Sequence, residues 1–190
     1  MIRHSRFDLA LFGVLALVML VTRTHSLSDV VHLPNTSLAS FFVLGFLVRR
    51  AMAFTGLFLL AVGIDLIVIG WLGHSSYCFT PAYWMLLPAY GTMWIAGRLG
   101  AEKIGIAPSA LPMLLLILVA ATLVSQLFSS GGFYFLGGRS ADPSLAGFIP
   151  RLARYFPPNL YATLLWSGVA AVAYALLAAT RPAMLARAPE

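Results

Sequence analysis

Cysteine is nearly absent from this 190-residue chain: Cys78 stands alone, so no internal disulfide can form. Charge is scarce too, at 9% of residues with six acidic side chains, whereas 61% of residues are hydrophobic. A chain of that composition cannot clothe a globule in polar surface, and the bilayer must be its solvent. Also missing are a Gly-rich phosphate loop, a serine elbow and paired carboxylates, so ordinary hydrolase chemistry has no support. The four histidines, His4, His25, His32 and His74, lack the i, i+4 spacing of a helical zinc site and read as solvated residues. No internal repeat is visible, which disfavours the inverted-repeat transporters.

What is present is a series of apolar runs. A spanning helix needs about 20 apolar residues. Six stretches approach that length: about 8–25, 35–48, 51–72, 80–98, 108–128 and 159–180. The expected fold is therefore an all-α integral membrane protein of six transmembrane helices, one domain over 1–190. Residues 1–26 have the basic head and apolar run of a signal peptide, but Thr22-Arg23-Thr24-His25 replaces a small-x-small cleavage site, so a retained first span is expected. Pro81, Pro88, Pro108 and Pro112 predict kinks or broken starts in the fourth and fifth spans, which can open a cavity between helices. Ala171, Ala175 and Ala179 favour close helix packing in the last.

Threading six spans with the amino terminus inside places Arg3, Arg6, Arg49, Arg50, Arg98, Lys103, Arg181 and Arg187 in the cytoplasm and Arg23, Arg139, Arg151 and Arg154 outside. This distribution predicts both termini cytoplasmic in the inner cell membrane. The net charge of +6 then reflects topology, and no nucleic-acid partner is expected. The outward connections, 24–35, 70–80 and 129–159, carry most of the polar and aromatic residues, including His32, Asn35, Tyr77, Tyr134, Arg139, Arg151 and Arg154. A ligand is therefore expected from outside. Paired glycines in Gly131-Gly132-Phe133-Tyr134-Phe135-Leu136-Gly137-Gly138-Arg139 read as a lid with φ > 0 freedom, or as an interfacial aromatic patch.

One acid stands inside a span. Asp65 lies in Gly63-Ile64-Asp65-Leu66-Ile67 with no base near it in sequence, and inserting such a charge costs about 2.5–3.5 kcal/mol. Either it serves function, or it ties two helices together through a hydrogen bond. An antiparallel hairpin turning near His74 puts Asp65 and Tyr83, each nine residues from that turn, at similar depth, with Cys78 nearer the surface. A thiol, a carboxylate and a phenol then converge. The thiol is a soft-metal ligand, a nucleophile or apolar filler.

This arrangement resembles the substrate-binding S-components of energy-coupling-factor transporters. Tyr77-Cys78-Phe79-Thr80-Pro81-Ala82-Tyr83 at the start of the fourth span, with Asp65 in the third, is similar to the solitary cobalamin-specific BtuM type. The resemblance implies uptake of cobalamin, bound base-off from the outer face, with Cys78 as axial ligand to its cobalt and Asp65 and Tyr83 beside it. It further implies that His32, Asn35, Tyr77, Tyr134, Arg139 and Arg151 face the corrin. Cysteine-mediated decyanation of cyanocobalamin would be an associated reaction. No metal is implied beyond that cobalt. In the wider group an Ala-x-x-x-Ala stripe in the first helix docks an energising module; here Val14 follows Ala10 and Leu17 follows Gly13, which suits a solitary transporter. Two other classes stay open: a carrier of another vitamin or metal chelate, and a membrane thiol enzyme.

Overall fold

The computed structural model describes residues 2–23, 33–48, 50–70, 80–105 and 108–180, with side chains from Phe7 onward. Among them the protein is all-helical. Six helices follow in order: α1 (Ile2–Arg23), α2 (Ser37–Leu47), α3 (Ala51–Gly70), α4 (Leu86–Lys103), α5 (Leu111–Leu136) and α6 (Leu145–Thr180). A 3₁₀ turn, Pro81–Met85, leads into α4, and its start is capped by the Thr80 hydroxyl accepting from the Ala82 amide at 3.3 Å. Proline at the first position suits this start, because its missing N–H would have no helical partner there.

Three of the six, α3, α5 and α6, are long and apolar enough to cross a membrane. The expected second span is the clearest departure. α2 has 11 residues, a rise of about 16 Å, which falls short of the roughly 30 Å hydrocarbon core. It is instead the most enclosed element, with Ser37, Ala39, Ser40, Phe41, Phe42, Val43, Leu44 and Gly45 all buried.

The exterior is apolar and part of the interior is not. Leu9, Leu17, Leu59, Leu116 and Leu176 are each more than half exposed, whereas Thr22, Thr36, Ser37, Ser40, Thr122, Ser125, Gln126 and Thr163 are buried. That surface fits hydrocarbon rather than water. The apolar core, built on Met19, Phe41, Leu44, Leu57, Met93 and Leu118, joins α1 through α5. Helices α2 and α4 meet backbone to backbone. A Cβ on Gly45 would strike the Trp94 carbonyl, and one on Gly97 would strike the Phe42 carbonyl. Reciprocal glycines of this kind allow the close crossings that hold helices together in lipid.

The connection expected at 129–159 is mostly helix. α5 runs past Gln126 through a π turn, Leu127–Gly131, to Leu136, and α6 begins at Leu145. Gly131 and Gly132 adopt helical φ of −66° and −54°; of the glycines here only Gly138 has positive φ, at 66°. The lid reading is thereby corrected. The glycines admit neighbours rather than supply freedom: Gly131 faces the Phe148 ring, and a Cβ on Gly132 would meet the Met85 side chain. Pro150, Pro157 and Pro158 lie within α6 rather than before it. Its 36 residues rise about 54 Å, so roughly 16 of them exceed the hydrocarbon thickness.

Replacing Gly97 by Val is expected to cost about 3 kcal/mol, the upper end for overpacking, because the obstacle is a carbonyl that cannot rotate away. Gly63→Ala, where a Cβ meets nothing within 4 Å, should be neutral or slightly stabilising. Thermal unfolding of both variants in one detergent checks the contrast; equal melting temperatures would remove the packing argument.

Candidate functional site

The site assembles at the end of the bundle where α1 and α3 finish, α2 begins and the 3₁₀ turn enters α4. Arg23, the last residue of α1, reaches across to Asp65 of α3. Its Nε and Nη2 donate to Oδ1 and Oδ2 at 2.5 Å each, a bidentate fork. Nη1 donates to the Ser37 hydroxyl at 2.8 Å and to the Tyr90 hydroxyl at 2.9 Å. Tyr83 donates its phenolic proton to Asp65 Oδ2 at 2.7 Å. Ser37 in turn donates to Asn35 Oδ1 at 2.7 Å. One guanidinium thus fastens four elements.

Position along the chain explains why these groups meet. Asp65 lies one and a half turns before the end of α3, and Tyr83 lies in the turn that starts the next helix, so an antiparallel return brings them level. Tyr90 sits two turns further along the same path, stacked on Phe41 at 4.5 Å between centroids, which fixes its hydroxyl under Arg23. Thr22 and Thr36 share a hydroxyl contact at 2.8 Å that draws the start of α2 to the end of α1.

Of the residues singled out from sequence, Asp65 and Tyr83 are brought together, and Asn35 joins them through Ser37. Cys78, His32 and Tyr77 lie outside the described residues. Tyr134, Arg139 and Arg151 stand elsewhere. Tyr134 is buried in an aromatic group with Phe135 and Phe148, at 4.9 and 5.8 Å, and the Arg151 guanidinium lies 5.2 Å over its ring. Arg139 is exposed beyond the end of α5. Arg23 is the participant that sequence reading counted only among the outside basic residues, at the end of the first span; its signal was the apolar run that ends on a base, opposite an acid in the third span with no base near it in sequence.

A second polar group adjoins the first. Gln126, 1% exposed, accepts from Asn159 Nδ2 at 2.6 Å and donates to the Ser130 hydroxyl, joining α5 to α6 at the π turn. Thr163 donates to the Asn159 carbonyl at 2.7 Å. Between the two groups lies a cavity of about 120 Å³, bounded by Asn35, Ser37 and Tyr90 on one side and Gln126, Asn159 and Thr163 on the other. Asn35 is exposed while Gln126 and Thr163 are buried, so the cavity runs from the surface into the bundle. Among the described residues, every side chain lining the chamber is uncharged, and Arg23, which donates to Ser37 and Tyr90 on its wall, is paired with Asp65. π turns often mark functional positions in helices, and this one turns Ser129 into the chamber.

Among the described residues no group of three His, Cys, Asp or Glu gathers that would hold a metal ion. Compared with known proteins, the sequence matches no protein-family model and no curated protein.

The ion pair generates an asymmetric mutational pattern. Arg23→Met leaves a largely enclosed carboxylate without its cation and should cost about 3 kcal/mol, the lower end for breaking a buried pair because Asp65 keeps some exposure, and Asp65→Leu should be comparably severe. The double variant should recover a large part of the loss, since no orphan charge remains. Melting temperatures of the four proteins form the cycle; strict additivity would show that the pair is not coupled.

Proposed function

We propose that the protein is a membrane carrier that binds cobalamin at this end of the bundle, in the manner of a solitary S-component, and moves it inward. The observation that carries the reading is the Tyr83–Asp65 hydrogen bond at 2.7 Å, because it joins two members of the sequence triad at the turn that Cys78 precedes in the chain. Four residues separate Cys78 from Tyr83. In this reading the end holding the chamber faces outward, both termini are cytoplasmic, and the six helices form an S-component-like unit in the inner cell membrane. Its partners are cobalamin and the lipid bilayer. The first helix lacks the small-residue stripe that would dock an energising module.

The residues divide the work. Cys78 thiolate replaces the benzimidazole nitrogen as axial ligand to cobalt, a substitution favoured by the softness of sulfur. Asp65 does not serve as a free base, because Arg23 and Tyr83 occupy both of its oxygens. It holds the phenol of Tyr83 in place instead. The described chamber is far smaller than a corrin ring, so the ring belongs above it and only a peripheral arm enters. A strong donor on one cobalt face weakens the bond on the other. Bound cyanocobalamin is therefore expected to release cyanide with the bonding electron pair, cobalt keeping its oxidation state.

A second reading draws on the chamber's volume: a carrier of a smaller neutral vitamin, with Cys78 as wall. The two part on one experiment. The visible spectrum of the detergent-purified protein with added cobalamin should differ from that of free base-on cobalamin and revert in Cys78→Ser. Cobalamin binding with the same spectrum in the variant would remove Cys78 from the cobalt. Absence of any corrinoid binding to the parent protein would overturn the cobalamin assignment.

A further inference from the structure

We propose that the cavity bounded by Ser37, Tyr90, Gln126, Asn159 and Thr163 is a subsite for a neutral primary carboxamide on the transported ligand. The inference deepens the cobalamin reading and rests on it, since a corrin carries carboxamide-ended arms around its rim.

Three features of the chamber select that group. The first is charge. Among the described residues, Arg23 and Asp65 behind the wall neutralise each other through two hydrogen bonds, and no Asp, Glu, Lys, Arg or His lines the chamber. An anion or a cation entering would lose its hydration with no counter-charge to replace it. The second is the mixture of donors and acceptors. Gln126 and Asn159 each carry two amide N–H donors and an amide oxygen; the Asn159-to-Gln126 and Gln126-to-Ser130 bonds use one N–H of each and the Gln126 oxygen, which leaves a second N–H on both and the Asn159 oxygen, while the Tyr90 hydroxyl, accepting from Arg23, keeps its own proton to donate. A carboxamide has the same pairing of one acceptor and two donors. The third is shape. Leu38 and Leu86 complete the wall, apolar surface suited to the methylenes of an arm whose polar head goes deeper. A volume of about 120 Å³ admits such an arm and excludes a fused ring.

A purely structural role for Gln126 and Asn159, bridging α5 to α6, makes a different prediction, so the test must read selectivity rather than stability. Purified full-length protein is titrated with cobalamin and with the separated monocarboxylate derivatives, in which a single rim carboxamide is hydrolysed to a carboxylate. Binding is followed in the visible spectrum. At least one isomer is expected to bind about ten- to a hundred-fold more weakly than cobalamin, because its charge would be buried unpaired. In Asn159→Leu and in the milder Thr163→Val, that ratio should shrink towards one, chiefly through weaker binding of cobalamin itself. Equal affinity of the parent protein for every isomer would overturn the subsite while leaving cobalamin uptake standing, and this arm needs no variant to fold. A ratio unchanged in both variants would equally overturn it. Failure of the parent protein to bind any corrinoid removes the carrier reading and the subsite with it.

Discussion

An arginine and an aspartate held face to face inside an apolar bundle set the terms for everything around them. Neither charge is tolerable alone in such surroundings, and the pair is acceptable because the geometry is bidentate and the remaining donors are absorbed by Ser37 and Tyr90. Because its members come from the end of α1 and the last turns of α3, and its satellites from the start of α2, the entry to α4 and α4 itself, the pair ties four helices at one level. The chamber exists because that level is held open by polar groups that must keep their partners rather than collapse.

The opposite part of the bundle is organised by absence of side chains. Gly45 and Gly97 let α2 and α4 touch through their backbones, which makes α2 a short buried core element rather than a lipid-facing span. Its brevity has a structural consequence at the polar end: the chain before Ser37 is turned inward by Thr36 and by the Pro34 carbonyl, which accepts from the Trp166 indole of α6 at 2.9 Å. α6 is thereby anchored beside the chamber, with Asn159 and Thr163 presented to it.

For function, the division between a neutral chamber and a separate ion pair matters more than the number of polar residues. A carboxylate already bound by a guanidinium and a phenol is a positioning group, not a proton acceptor. Tyr134 and Arg151, stacked on one another at the far end of α5, stabilise the α5–α6 hairpin and are not directed at the chamber.

Sequence alone determined the helical, membrane-suited character of the chain, because composition and run length dictate which solvent a segment can tolerate. It also determined that Asp65 and Tyr83 lie level, since hairpin geometry converts equal spacing from a turn into equal depth. The extent of α5 and α6 could not be read that way. Pro150, Pro157, Pro158 and the paired glycines are breakers by local propensity, yet the helices run through them, with Phe148 packed against Gly131 and Tyr134. Nor could Arg23 be assigned to Asp65 from 42 residues away, or Gln126 to Asn159, because side chains distant in sequence meet only once the helices have chosen their neighbours. Tertiary structure decided those pairings for a physical reason: the side chains of Arg23, Asp65, Gln126 and Asn159 carry more hydrogen-bonding capacity than their own helices satisfy, and away from water they find partners on neighbouring helices.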